Sequence, residues 1–126
     1  MTDTLRVWVR KAEADFKAAK KILAEFEPDS ADIVCFHCQQ TIEKLLKALA
    51  VQCEIAPPKI HDLVQLSNLL HGKYEDLELE ERELRTLYRL SSFRYPGDFA
   101  LKSDAELAFS LCQKYRERLL AHIKWD

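Results

Sequence analysis

The stretch Cys35-Phe36-His37-Cys38-Gln39-Gln40-Thr41-Ile42-Glu43-Lys44-Leu45-Leu46-Lys47-Ala48-Leu49-Ala50-Val51-Gln52-Cys53 decides the fold class. Cys35, Cys38, Ile42, Leu45, Leu49 and Cys53 recur at spacings of three and four, which sets them on one apolar stripe of an α-helix. His37, Gln40, Lys44 and Lys47 form a polar stripe beside it. The helix is expected to start near Asp29 or Ser30, both good N-caps, and to run to about Glu54. Pro57-Pro58 closes it, because proline clashes with a continuing helix.

The flanking sequence repeats the pattern. Leu5, Val9, Ala12, Phe16, Ala19, Leu23 and Phe26 predict a first helix over about Asp3 to Phe26, with Arg10, Lys11, Lys17, Lys20 and Lys21 largely off the stripe. A short helix is expected from about Ile60 to His71, with Gly72 as its C-cap. A fourth runs from about Glu78 to Ser91 and meets the loop Ser92-Phe93-Arg94-Tyr95-Pro96-Gly97-Asp98. Ser103-Asp104-Ala105-Glu106 reads as a capping box that opens a fifth helix through Ala108, Leu111, Cys112, Tyr115, Leu119 and Ile123. The expectation is an all-α, up-and-down helical bundle of four to five helices, one of them short, in a single domain spanning 1–126. Its long amphipathic helices can also support a dimer interface.

Composition agrees and excludes much. The chain has 126 residues, 48% hydrophobic and 32% charged, with two glycines and four prolines. That is too few turn residues for many short strands or a glycine-rich phosphate loop. The net charge of −2 excludes nucleic-acid binding by bulk charge, so any RNA or nucleotide site must be a local patch. The opening Met1-Thr2-Asp3-Thr4-Leu5-Arg6 shows no apolar run of signal-peptide type, and no run approaches the ~18 apolar residues that span a bilayer. A cytoplasmic location is expected, with the four cysteines reduced.

Few constellations carry chemistry. Cys35 and Cys38 lie too far into their helix for a redox pair and lack a second Cys/His pair for zinc, so small core residues are the better reading. The stripe His37, Gln40, Lys44 and Lys47 offers an imidazole, an amide and two ammonium groups to a phosphate or a base; an ordinary solvated face is the favoured alternative. In the loop, Arg94 offers a planar donor fork for phosphate and Tyr95 a stacking face; ion pairing and packing across the turn are equally consistent. His61-Asp62 precedes the short helix, where helix capping is the simplest role. No nucleophile elbow or paired acidic metal motif is present, and neither a metal nor a cofactor is expected.

Three segments together resemble the HEPN domain family (higher eukaryote and prokaryote nucleotide-binding): Phe36 to Ala48, Lys59-Ile60-His61-Asp62-Leu63, and Phe93-Arg94-Tyr95-Pro96-Gly97-Asp98. Their order and spacing match small stand-alone prokaryotic members over nearly the whole chain. The resemblance implies a helical bundle, commonly a homodimer. It also implies one of two activities. Many members are RNA-cleaving toxins or defence ribonucleases, often encoded beside a minimal nucleotidyltransferase antitoxin, with an arginine followed four to six residues later by a histidine near the start of a late helix. Others lack that signature and bind nucleotide or act as non-catalytic partners.

This chain departs from the ribonuclease signature. After Arg94 the next histidine is His122, and the only spacing match, Arg116 to His122, lies at the end of the last helix. The expectation is therefore a dimeric, non-catalytic HEPN protein that binds nucleotide or RNA and acts with a minimal nucleotidyltransferase partner in a toxin–antitoxin-like module. Its expected ligand-binding residues are His37, Gln40, Lys44, Lys47, His61, Arg94, Tyr95 and Asp98. The alternatives are a ribonuclease toxin with a rearranged site, in which Arg94 is the catalytic candidate and His37 or His61 supplies the base, and a purely structural interaction module.

Overall fold

A computed structural model describes residues 2–92 and 96–125. It contains α1 (Asp3–Ala24), a 3₁₀ turn (Pro28–Ser30), α2 (Ala31–Gln52), α3 (Leu63–Leu69), α4 (Glu81–Leu90) and α5 (Lys102–Leu120). No strand occurs among the described residues, so the fold is all-α as the periodicity predicts.

Helix α2 is the hub and packs against each of the other four helices. Its stripe Cys35, Cys38, Ile42, Leu45 and Leu49 is completely buried, while Cys53 at its end is only half-buried. On α1 the buried face is Leu5, Val9, Ala12, Phe16 and Ala19, and on α5 it is Ala105, Ala108, Leu111, Cys112, Tyr115 and Leu119. Phe16 of α1 stacks on Phe109 of α5, with ring centroids 5.5 Å apart.

The helix ends differ from expectation for local reasons. The Thr2 hydroxyl caps α1 by accepting from the Leu5 amide at 3.2 Å, and α1 stops at Ala24 rather than Phe26. Ser30 takes the N-cap position of α2 after the 3₁₀ turn, but its hydroxyl makes no capping bond. At the other end, Glu54 adopts a left-handed φ of 64° while Ile55 donates its amide to the Ala50 carbonyl at 2.8 Å. That is the six-residue closure usually assigned to glycine. Asp62 caps α3, accepting from Val64 at 2.9 Å and Gln65 at 3.3 Å, and Gly72 has a φ of 77° in the turn beyond that helix.

Helix α5 corrects the capping-box reading. Leu101 is the N-cap and Ser103 already lies inside the helix. Asp104, at the third helical position, accepts from the Leu101 amide at 2.8 Å. Only the returning arm of a capping box forms, because Leu101 has no acceptor to offer. Nearby, the Ala100 amide donates to Asp32 at 2.7 Å, tying the entry of α5 to the start of α2.

Candidate functional site

Five of the expected residues, His37, Gln40, Lys44, Lys47 and His61, fall into two adjoining clusters on α2. Each cluster is organised by a carboxylate. Asp15, on α1, takes His37 Nδ1 at 2.8 Å and pairs with the Lys44 ammonium through its other oxygen. Glu43, on α2, takes His61 Nδ1 at 3.1 Å from each oxygen and Lys47 Nζ at 3.1 Å. It also accepts from Gln39 at 3.0 Å and from Gln40 at 3.3 Å. The Gln39 amide reaches on to the His61 carbonyl at 2.9 Å, which holds the segment before α3 against α2. Trp8 of α1 lies over Lys47, 5.6 Å from ring centroid to Nζ.

The two lysines are therefore neutralised by carboxylates within the fold. Lys47 and Glu43 expose only 7% and 5% of their side chains. An ion pair this deeply buried survives only with further hydrogen bonds to its charges, and Glu43 receives them from three side chains. Burial alone pushes the Glu43 carboxyl up, but the hydrogen bonds from Gln39, His61 and Lys47 and the Lys47 charge outweigh it and hold the pKa below the usual glutamate value.

The histidines are oriented rather than silenced. A carboxylate can only accept, so the Nδ1 facing it carries a proton, which points each ring's Nε2 away from the carboxylate. His61 is largely exposed, with 66% of its side chain open to solvent, whereas His37 is half-buried. Among the described residues, no group of three or more His, Cys, Asp or Glu side chains is arranged to hold a metal ion.

The remaining candidates separate. Asp98 is exposed in the segment between Gly97 and α5 and takes no part in either cluster. Arg94 and Tyr95 lie outside the described residues. Arg116 and His122 do not converge. Arg116 binds Glu13 of α1 through Nε at 3.0 Å and Nη2 at 2.9 Å, while the two ring nitrogens of His122 face the carbonyls of Arg118 at 2.9 Å and Glu75 at 2.8 Å. Cys35 and Cys38 are fully buried free thiols. Burial pushes Cys35 up to about 12, helped by the charges of Asp104 and Asp32. A hydrogen bond with the Cys112 thiol, reinforced by burial, holds Cys38 far above the ordinary thiol value. Thiols kept protonated in this way are inert core residues.

Asp15, Gln39, Glu43 and Trp8 are the members of the site that sequence reasoning passed over. Two signals were available. Asp15 sits on the apolar stripe of α1 between Ala12 and Phe16, and Glu43 stands four residues before Lys47, the helical ion-pair spacing.

Comparison with known proteins places this geometry in a family. The HEPN domain model matches residues 5–122. Two solved structures share the fold. TT1696 from Thermus thermophilus has a TM-score of 0.76 at 21% identity, over 97% of this chain and all of that one. ST0689, an archaeal HEPN homologue, has a TM-score of 0.69 at 19% identity, over 95% and 98%. At these identities the likeness speaks for the fold alone. No curated protein matches. The family match spans nearly the whole chain and the bundle agrees with it: the chain belongs to the HEPN domain family.

Proposed function

We propose that this chain is a dimeric, non-catalytic HEPN protein that binds RNA or nucleotide and works with a minimal nucleotidyltransferase partner in a toxin–antitoxin-like module. One observation carries the non-catalytic part. The lysines of α2 that would stabilise a cleaved phosphate are already paired with Asp15 and Glu43, and the arginine-to-histidine spacing of the family's ribonucleases is missing after Arg94. Self-association is supported by an apolar cluster around the Ala100–Asp32 bond, where Ile33 and Phe36 of α2 and the chain neighbours Phe99 and Leu101 are all exposed.

The test is RNA cleavage by the purified protein in EDTA, together with calorimetric titration of ATP, GTP and short RNAs. Binding without cleavage is the expected result; no heat with any of these ligands removes the binding claim. Sedimentation should give a dimer at micromolar concentration, and a 14.7 kDa species refutes it. Co-purification with a nucleotidyltransferase expressed beside it tests the partner.

The oriented histidines favour a second reading, a ribonuclease with a rearranged site. With Nδ1 held by Glu43, the exposed His61 ring has its other nitrogen available, and in its neutral form that nitrogen is suited to taking a proton from a ribose hydroxyl. Cleavage by the wild type that is lost in both His61→Ala and Arg94→Ala would establish it; cleavage that persists in both variants would discard it.

A further inference from the structure

On the side of α1 away from these clusters lies a second collection of cations. A groove of about 570 Å³ runs along α1 and is bordered by Arg6, Arg10, Glu13, Ala14, Lys17 and Trp125. At about 100° per residue, Arg6, Arg10 and Lys17 fall within a narrow sector of the helix. Glu13, the one acid among the described residues that line the groove, is taken by Arg116. Arg6, Arg10 and Lys17 are all exposed and set three cations along this wall on a chain whose net charge is −2. Ala14 keeps the floor low.

The aromatic member is held in place by the fold. Gln52, at the end of α2, donates from Nε2 to the His122 carbonyl at 2.8 Å, and its Oε1 accepts from the Lys124 amide at 2.8 Å. With Ile123 buried between these two points, the chain is clamped immediately before Trp125, whose indole remains 63% exposed. An exposed indole held at the edge of a cationic groove has the two parts from which single-strand nucleic-acid sites are built. Cations track the phosphates, and a flat aromatic face stacks on an unpaired base without regard to its identity.

We propose that this groove binds single-stranded RNA, with Arg6, Arg10 and Lys17 on the phosphates, Trp125 stacked on a base and Gln52 as the positioning residue for the indole. The assignment rests on the RNA-binding reading above and gives it a location independent of Arg94.

The experiment is fluorescence anisotropy of a labelled single-stranded RNA dodecamer of mixed sequence, read as a function of salt. The double reversal Arg10→Glu with Lys17→Glu should weaken binding at least tenfold. It should also flatten the log–log salt dependence by about 1.4 or more, since each phosphate contact on a single strand contributes about 0.7. Trp125→Ala should lose roughly five- to a hundredfold, the range of one base–aromatic stack, while Trp125→Phe retains most of the affinity. Gln52→Ala should lose part of what Trp125→Ala loses and add nothing in combination with it. RNA that binds the wild type and both charge-reversed and Trp125 variants alike, but not Arg94→Ala, overturns the groove and leaves RNA binding standing. RNA that does not bind at all overturns both. Equal binding of a perfect duplex, or equal displacement by an oligoglutamate peptide of matched charge, also overturns the groove, because neither uses a stacked base.

Discussion

The inner and outer sides of α1 use the same residue types to opposite ends. On the inner side Lys44, Lys47 and His37 meet Asp15 and Glu43 and are held as a structural seam. On the outer side Arg6, Arg10 and Lys17 face solvent next to an exposed indole. What separates them is desolvation. A charge removed from water needs a fixed partner and so becomes part of the fold, whereas a charge left in water stays available to a ligand.

The strongest way to break this contrast is to remove the central carboxylate of the seam. Glu43→Ala leaves the Lys47 ammonium buried without its counter-charge, and denaturant unfolding should show a loss of about 3–5 kcal/mol. Replacing the pair together, Glu43→Leu with Lys47→Met, should recover most of that loss. A Glu43→Ala variant as stable as the wild type would mean that the seam is not structural.

The same residue predicts a pH dependence. The folded-state pKa of Glu43 is lowered, so its contribution is complete above the ordinary value of 4.5 and disappears as pH falls through the lower folded value. The stability gap between wild type and Glu43→Gln should accordingly close in acid and reopen on return to neutral pH. A gap that stays constant down to the acid transition would show that ionisation of Glu43 contributes nothing.

Asp15→Ala comes next. It strips a largely buried carboxylate from His37 and Lys44, whose own side chains retain some access to water. The expected cost is about 1–3 kcal/mol. Asp62→Ala, which removes the cap of α3, should cost about 1 kcal/mol by the same assay. The smallest effects sharpen the comparison from the other side. Arg10→Ala and Trp125→Ala should each stay within about 0.5 kcal/mol of the wild type while changing RNA affinity. Large destabilisation by either would mark the outer groove as a structural feature too.

Legibility in the sequence divides along the same line. The apolar stripe of α2 was readable because burial on a helix follows a fixed angular period, and Cys35 and Cys38 fell into the core on that rule alone. The limits of α3 were less readable. Ile60 and His61 lie outside it because the Asp62 carboxylate claims the first free amides. The polar stripe was visible as a stripe but not as a set of ion pairs. His37 and Lys44 find their partner 22 and 29 residues away on α1, and His61 finds Glu43 across 18 residues. Trp125 carried no signal, since nothing local to the C-terminal residues indicates that Gln52 clamps them or that α1 lies beside them.

Periodicity and motif order already establish a bundle of amphipathic helices, most of the residues that face its core, and the family resemblance. These properties depend on helical period and chain spacing, which are local. Which cations are held by internal carboxylates and which lie exposed beside an aromatic ring depends instead on the three-dimensional packing. The energy of a charge depends on the water and the partners around it, and those are supplied by segments far away in the chain.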